Sequence, residues 1–409
     1  MIMSKNIQIL ILILYFVLSD QKGFTQWTTV SIGSLDVVTD IQIANPSIAY
    51  YTLGFPDSEL MKTSDGGNLW ASTGKTFTYF KEIQTVNNDT VFGLGGGALE
   101  YSYDGSVNFQ NANFNNSFME LYSMHFPSNN IGYVAGMNNN WDSILVFKTT
   151  NGGQSFNLIK QVEGSSPTDI YFLNASVGFM ATDTYVYKTI DGGLNWTVVF
   201  FQMGTSFQDI HFPDPLNGFI TGITGDFLKT TDGGDNWTYS ANALLQEDPW
   251  ITASDVHFLN QDTGYVSSSY VGNGVPGIQF TTDGGLSWAI SHIGNNGFEC
   301  VEFLNDTLGW AGGASGQLIR FDNNSIPNFI QELTENFFFV SENYSHFILN
   351  FKTDFNKEIA LYDISGKQVL NVSTNQNQFF IEKNYFISGI YILNVISNEK
   401  VQSSKIVFR

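Results

Sequence analysis

Along residues 27–325, apolar runs of four to six residues alternate with polar turns, and the runs recur in a fixed order. The order is clearest in Asp209-Ile-His-Phe, then Asn217-Gly-Phe-Ile-Thr-Gly, then Phe227-Leu-Lys-Thr-Thr-Asp-Gly-Gly-Asp-Asn-Trp237. It returns from Asp169 to Trp196 and from Asp255 to Trp288, and more loosely from Asp40 to Trp70, Glu82 to Phe109 and Ser123 to Phe156. Short alternating runs bounded by Gly, Asn and Asp predict strands joined by tight turns. The turn residues Asp65, Asp104, Asn151, Asp191, Asp232 and Asp283 are spaced by 39, 47, 40, 41 and 51 residues. A period near forty matches one four-stranded propeller blade. Within each unit, strand a is the Asp-Ile-x-Phe segment, b the Gly-Phe/Tyr-x-x-x segment, c the run into Lys-Thr-Thr, and d starts near the Trp or Phe.

A seventh unit begins at Cys300-Val-Glu-Phe, passes through Leu308-Gly-Trp-Ala-Gly-Gly and stops at Asp322, before a fourth strand. At the other end of the chain, Gln26-Trp27-Thr-Thr-Val matches the strand that follows the turn elsewhere, as in Trp196-Thr-Val-Val. Pairing the two would close the ring and remove two exposed sheet edges. The expected fold is all-β: a seven-bladed β-propeller over residues 26–325, with the N-terminal strand closing the last blade. A polar linker over 326–335 then leads to a small β-sandwich-like domain over 336–409.

The turn residues have a physical logic. An Asp side chain accepts hydrogen bonds from turn N–H groups, and the glycines supply positive φ at low steric cost. These turns resemble the Asp-box, or bacterial neuraminidase repeat, in a looser Asp-Gly-Gly-x-x-Trp form similar to the repeats of the photosystem II stability/assembly factor family. The resemblance covers about 300 residues and implies the fold. It leaves function open, because one scaffold hosts many sites. It also implies a structural role for Asp65, Asp104, Asn151, Asp191, Asp232 and Asp283.

The C-terminal region contains Ile359-Ala-Leu-Tyr-Asp-Ile-Ser-Gly-Lys-Gln-Val-Leu370, which reads as a hairpin, then the apolar strand Gly389–Val395 and the closing Ser404–Arg409. These pieces resemble the type A C-terminal sorting domain of the type IX secretion system of Gram-negative bacteria, although Phe338–Asn343 lacks the prolines of that family's opening segment. The resemblance implies that residues 336–409 engage the type IX secretion machinery. It also implies a destination at the cell surface or in the medium. Residues 1–25 fit this export route: Lys5 precedes an apolar run, Ile7 to Leu18, too short to span a bilayer and readable as a secretory signal. No transmembrane segment is expected in the mature chain.

Charge and residue counts then remove several functions. A formal charge of −21 argues against nucleic acid as a partner. The single cysteine, Cys300, excludes an intramolecular disulfide. Sialidases hold their substrate carboxylate with three arginines, whereas this chain has two, Arg320 and Arg409. His125, His211 and His257 share one strand a position, and Lys62, Lys148, Lys188 and Lys229 share one position before the turn, which reads as repeated structure. No cofactor, metal or catalytic residue is singled out.

Binding sites on propellers favour connections that depart from the repeat. Three such departures, 137–142, 244–250 and 270–277, fall on b–c and d–a connections, opposite the Asp-box turns. Trp141, Asp142, Glu247, Asp248, Trp250 and Tyr270 are therefore the candidate ligand-binding residues, with rings to stack and carboxylates to accept hydroxyls. The function expected is non-catalytic binding of an extracellular glycan or protein. The alternative is a polysaccharide-active glycoside hydrolase, which needs two carboxylates facing each other across a cleft.

Overall fold

A computed structural model describes residues 27–322 and 338–408, apart from breaks of one to seven residues that include 245–251 and 270–275. The signal sequence expected over 1–25 and the linker expected over 326–335 lie outside the described residues. The chain divides into two compact units, 1–326 and 327–409. Among the described residues there is no α-helix.

The first unit holds seven sheets built on one four-stranded antiparallel plan, to which one sheet adds a parallel strand. In unit 1, strand a is Val38–Ile43, b Ala49–Leu53, c Ser58–Thr63 and d Ala71–Phe77, hydrogen-bonded in that order. The a strands of units 2 to 7 are Phe80–Thr85, Glu120–His125, Pro167–Phe172, Phe207–His211, Thr252–Phe258 and Phe298–Asn305. Each a strand packs on the next, and the seventh packs on the first, so the inner strands form a closed ring. The b strands pack as apolar cores between successive units; Ala49–Leu53, Gly178–Thr182 and Gly218–Gly222 are buried at every position.

Unit 7 takes its outer strand from the other end of the chain. Trp27–Thr29 pairs antiparallel with Gln317–Asp322, with Trp27 opposite Phe321. The Trp27 ring packs edge-on to Tyr265, Phe303 and Phe321, and its indole N–H donates to Ser291 Oγ at 2.8 Å. Unit 3 carries a fifth strand that the repeat pattern does not reveal: Asn113–Phe114 runs parallel to Ser155–Glu163 on the sheet's outer edge.

The Asp-box turns share one hydrogen-bond scheme. In unit 1 the Thr63 hydroxyl donates to Asp65 Oδ1 and accepts from Gly67 N–H, while Leu69 N–H donates back to Asp65 Oδ1. Ser102/Asp104, Thr149/Asn151, Thr189/Asp191, Thr230/Asp232 and Thr281/Asp283 repeat the arrangement. Donors around them hold the exposed Asp104 and Asp232 carboxyls down to about 2, led by the Asn108 backbone and the Asn236 side chain respectively. The lysine before the turn reaches the following unit: Lys62 Nζ donates to Gly105 O, Lys188 Nζ to Gly233 O, and Lys229 Nζ to Gly284 O.

The second unit is a pair of sheets. Phe338–Glu342, His346–Phe351 and Gln378–Glu382 form one; Gln368–Thr374, Lys357–Asp363, Gly389–Ser397 and Lys400–Phe408 form the other, in that order. Phe347, Leu349, Ile359, Leu361, Leu393 and Val395 make its buried core.

Candidate functional site

All seven a strands carry a register shift at one place, between Val38 and Asp40 in unit 1 and at the matching positions up to Phe298 and Cys300 in unit 7. A bulge inserts one residue and re-aims the side chains beside it. The residues at and after the shift line a central cavity of about 380 Å³. One ring of side chains is Asp40, Glu82, Ser123, Asp169, Asp209, Asp255 and Cys300; a second, two residues on, is Gln42, Gln84, His125, Tyr171, His211, His257 and Glu302.

The first ring clasps unit to unit. Asp40 Oδ2 accepts from Ile83 N–H at 2.6 Å, Glu82 Oε2 from Met124 N–H at 2.8 Å, and Asp169 Oδ2 from Ile210 N–H at 3.0 Å. Asp209 and Asp255 do the same for Val256 and Val301, both at 2.8 Å, and Ser123 Oγ accepts from Ile170 N–H at 3.2 Å. Cys300 differs, since its thiol donates to Gly312 O within its own unit. Burial among other carboxylates pushes these acids up: Asp40 to about 8, Asp169 and Asp255 to about 7, with Glu82 and Asp209 also raised.

In the second ring, Gln84 Oε1 accepts from Phe126 N–H, and the Nδ1 atoms of His125 and His211 accept from Phe172 and Phe258 N–H at 3.2 Å. His257 Nδ1 meets Glu302 Oε2 at 3.0 Å. Desolvation lowers His125 to about 3 and His257 to about 4, and lowers His211 as well, so these imidazoles are neutral near pH 7. Among the described residues no group of three His, Cys, Asp or Glu is arranged to hold a metal ion. The histidines on strand a thus face the channel, and two of them act as acceptors for the backbone of the next unit.

Of the candidate ligand-binding residues, Trp141 and Asp142 are described; Glu247, Asp248, Trp250 and Tyr270 lie outside the described residues. Trp141 sits in the b–c connection of unit 3 at φ 60°, with its side chain 46% exposed. That backbone region costs a non-glycine residue roughly 1–2 kcal/mol. Trp141 N–H donates to Asn138 O, Asn138 Nδ2 to Asp142 Oδ1 at 2.7 Å, and Ser143 Oγ to Asp142 Oδ1 at 2.9 Å. The Asn138 and Ser143 donors hold the Asp142 carboxyl below its usual range. Polar groups of Asn138, Asp142 and Ser143 secure this loop. Sequence reasoning missed the clasp ring. Its signal was present as the repeated Asp of Asp-Ile-x-Phe, but its partners are main-chain groups one repeat away.

Residues 194–289 match the model of the photosynthesis system II assembly factor YCF48, and residues 343–409 match the secretion system C-terminal sorting domain. No curated protein matches the chain. Among solved structures, YCF48 from Cyanidioschyzon merolae is similar with TM-score 0.58 at 16% identity, over 73% of this chain and 99% of that one. PorZ, an essential surface component of the type IX secretion system of Porphyromonas gingivalis, is similar with TM-score 0.51 at 12% identity. The match covers 91% of this chain and 59% of PorZ. An ancestral GH74 enzyme gives TM-score 0.56 at 14% identity over 94% of this chain and 64% of the enzyme. At such identities the likeness speaks for the fold alone. The chain is a β-propeller with YCF48-like, Asp-box repeats, joined to a type IX secretion C-terminal sorting domain.

Proposed function

We propose that the protein is a secreted or cell-surface propeller that binds an extracellular glycan or protein, without catalysis, through the face formed by its b–c and d–a connections. The observation that carries this reading is Trp141: a large ring, 46% exposed, held in a left-handed turn that its polar neighbours already secure. A large ring left 46% exposed in a costly backbone conformation points to an external partner. The buried carboxylates of the channel weigh against hydrolysis there, because Asp40, Glu82, Asp169, Asp209 and Asp255 each hold a backbone N–H of the next unit. Glu302 and Glu299 also line the channel without clasping an amide, meeting His257 Nδ1 and Ser254 Oγ instead, so a glycoside hydrolase would have to draw its acid and base from these two or from the outer connections.

The test incubates the full secreted chain with a panel of neutral and charged polysaccharides and glycoproteins, recording retention and release of reducing sugar together. Saturable retention without release, weakened at least tenfold by Trp141→Ala with Trp250→Ala, is the expected result. Release proportional to protein and abolished by one carboxylate substitution would replace the reading with a hydrolase. Retention that survives both Trp changes would move the site off this face.

A further inference from the structure

The outer strands of the seven units are not equally protected. A sheet edge presents unpaired N–H and C=O groups, and proteins blunt it with short strands, glycine or proline, charge, or a cover. The outer strand of unit 1, Ala71–Phe77, contains Gly74 at φ 75° and Lys75; those of units 2 and 5 are only Gln110–Asn111 and Thr238–Ser240. Unit 6 has Ala289–Ile293, also five residues and uncharged, with Ile290 and Ile293 49% and 60% exposed, but its apolar run is interrupted by Ser291, bound to the Trp27 indole, and His292; unit 7 has the three residues Trp27–Thr29. In unit 3 the outer strand carries Lys160 and Glu163, and Asn113–Phe114 covers its start.

Unit 4 has none of these devices, and the register shift at Val199 in its outer strand is one that the outer strands of units 1, 3 and 6 share. Its outer strand Thr197-Val-Val-Phe-Phe201 is entirely β-branched or aromatic and uncharged, and no described strand pairs with its outer edge. Val198 and Phe201 are 46% and 49% exposed, and Met203 just beyond is 74% exposed. Phe201 lies against Tyr185 at 4.9 Å, which extends the apolar surface onto strand c.

Unit 3 demonstrates how such an edge is filled. Asn113 N–H donates to Gln154 O, Asn115 N–H donates to Phe156 O, and the Phe114 ring stacks on Phe156 at 4.9 Å and 9°. The fold thus accepts an added strand along the start of an outer strand, at the residues that correspond to Asn195 and Trp196 of unit 4, fixed by main-chain bonds and one aromatic side chain.

Charge selects the occupant. Residues 27–322 hold 8 Lys/Arg against 29 Asp/Glu, a formal charge of −21, so the propeller carries the charge of the whole chain. The one cation of unit 4, Lys188, is bound to Gly233 O at 2.7 Å and to Asp235 at 2.6 Å. Asp191 precedes the outer strand, and beyond its end Thr205 Oγ1 and Ser206 Oγ bind Asp183. A second copy of this chain would bring another −21 to the contact, whereas a basic segment would be attracted.

The geometry points to the outer edge of Thr197–Phe201 as a docking site for an extended polypeptide segment of a partner, with alternating apolar side chains and flanking Lys or Arg, bound by strand addition. Main-chain bonds would supply affinity, and the Val198–Phe201–Met203 surface would select the apolar positions. The edge belongs to unit 4, and only Met203, at the start of its d–a connection, reaches the face that carries Trp141 in unit 3.

The experiment uses the full secreted chain and a fluorescein-labelled Lys-Val-Thr-Val-Lys-Val-Thr-Lys peptide, with Glu replacing Lys in the control. Saturable anisotropy is expected for the basic peptide, at least tenfold weaker for the acidic one, and falling with added salt. Val198→Lys with Phe201→Lys should weaken binding at least tenfold; Val198→Thr with Phe201→Thr, milder for the fold, should weaken it severalfold. Hydrogen exchange should slow at residues 197–201 when peptide is bound. Trp141→Ala with Trp250→Ala should leave the peptide affinity unchanged, which separates this site from the one proposed above. Absence of peptide binding, binding untouched by both edge variants, or a self-associated dimer lost in those variants would each overturn the proposal.

Discussion

Between units 5 and 6 the Asp209 carboxylate accepts Val256 N–H at 2.8 Å, whereas between units 7 and 1 the corresponding Cys300 thiol turns back to Gly312. Ile41 N–H, the group that a unit 7 carboxylate would have met, is taken by Asp40 Oδ1 of its own unit at 2.6 Å. What holds unit 7 to unit 1 is mainly apolar, with one main-chain bond, Gly316 N–H to Asp36 O at 2.9 Å, beside it. Trp310, 1% exposed, lies where Gly67 has no Cβ to obstruct it and meets Trp70 edge-on at 5.3 Å. Cys300, Leu308 and Leu318 share one core with Val38, Ile41 and Tyr51. Elsewhere the junctions combine apolar packing with a polar clasp, which fixes distance and direction. The closing junction has no side-chain clasp and relies on packing, one main-chain bond and the strand Trp27–Thr29, all supplied only when the two ends of the ring meet.

The largest effect should come from the closing junction. Trp310→Ala should destabilise the protein by about 4 kcal/mol, the usual cost of removing a fully buried Trp ring. Urea denaturation with intrinsic fluorescence would measure it; a loss below about 1 kcal/mol would mean that packing does not hold this junction.

Next is the clasp. Asp209→Ala leaves Val256 N–H buried without its acceptor and should cost about 2 kcal/mol, whereas Asp209→Asn keeps an acceptor oxygen and should cost less. These two also differ with pH. The clasp carboxyls have folded values raised to about 7 or 8, from an ordinary 3.8, so the folded state binds protons more tightly than the unfolded one. Their contribution is complete below about pH 4 and is lost as pH rises through 7–8. The box carboxyls of Asp104 and Asp232, lowered to about 2, act oppositely: their contribution is present above pH 4 and lost as pH falls toward 2. Thermal stability should therefore be greatest between about pH 4 and 6 and decline toward pH 9. The decline should be shallower in Asp209→Asn. A melting temperature that rises steadily from pH 5 to 9 would contradict the clasp's protonation.

The smallest effect should be Cys300→Ala. It removes a buried sulfur but no clasp, so we expect about 1 kcal/mol and a pH profile parallel to that of the parent. A changed profile would mean that Cys300 takes part in the titration of the ring.

Much of this architecture was legible before any coordinates. The forty-residue period, the Asp-box turns and the match between Gln26-Trp27-Thr and the post-turn strands led to a propeller closed by its N-terminus, and Trp27 does lie opposite Phe321. These features are local or periodic, which is why sequence displays them. The fifth strand was invisible, because Asn113–Phe114 is two residues long and carries no pattern of its own. The clasps were half visible: Asp40, Asp169, Asp209 and Asp255 repeat, but Glu82, Ser123 and Cys300 interrupt the series, and no side-chain pattern marks a backbone N–H as partner. Trp141 was read as a candidate from its irregular loop; its exposure and backbone conformation needed the structure.

The clasp also bears on how such a chain could arise. Each clasping side chain binds a main-chain amide of its neighbour, a group that every copy of the unit possesses whatever its sequence. A duplicated segment would therefore bring its own hook and its own eye, with no matching change required next door. Mutational drift could then reshape each copy's outer connections separately while the inner ring stayed assembled.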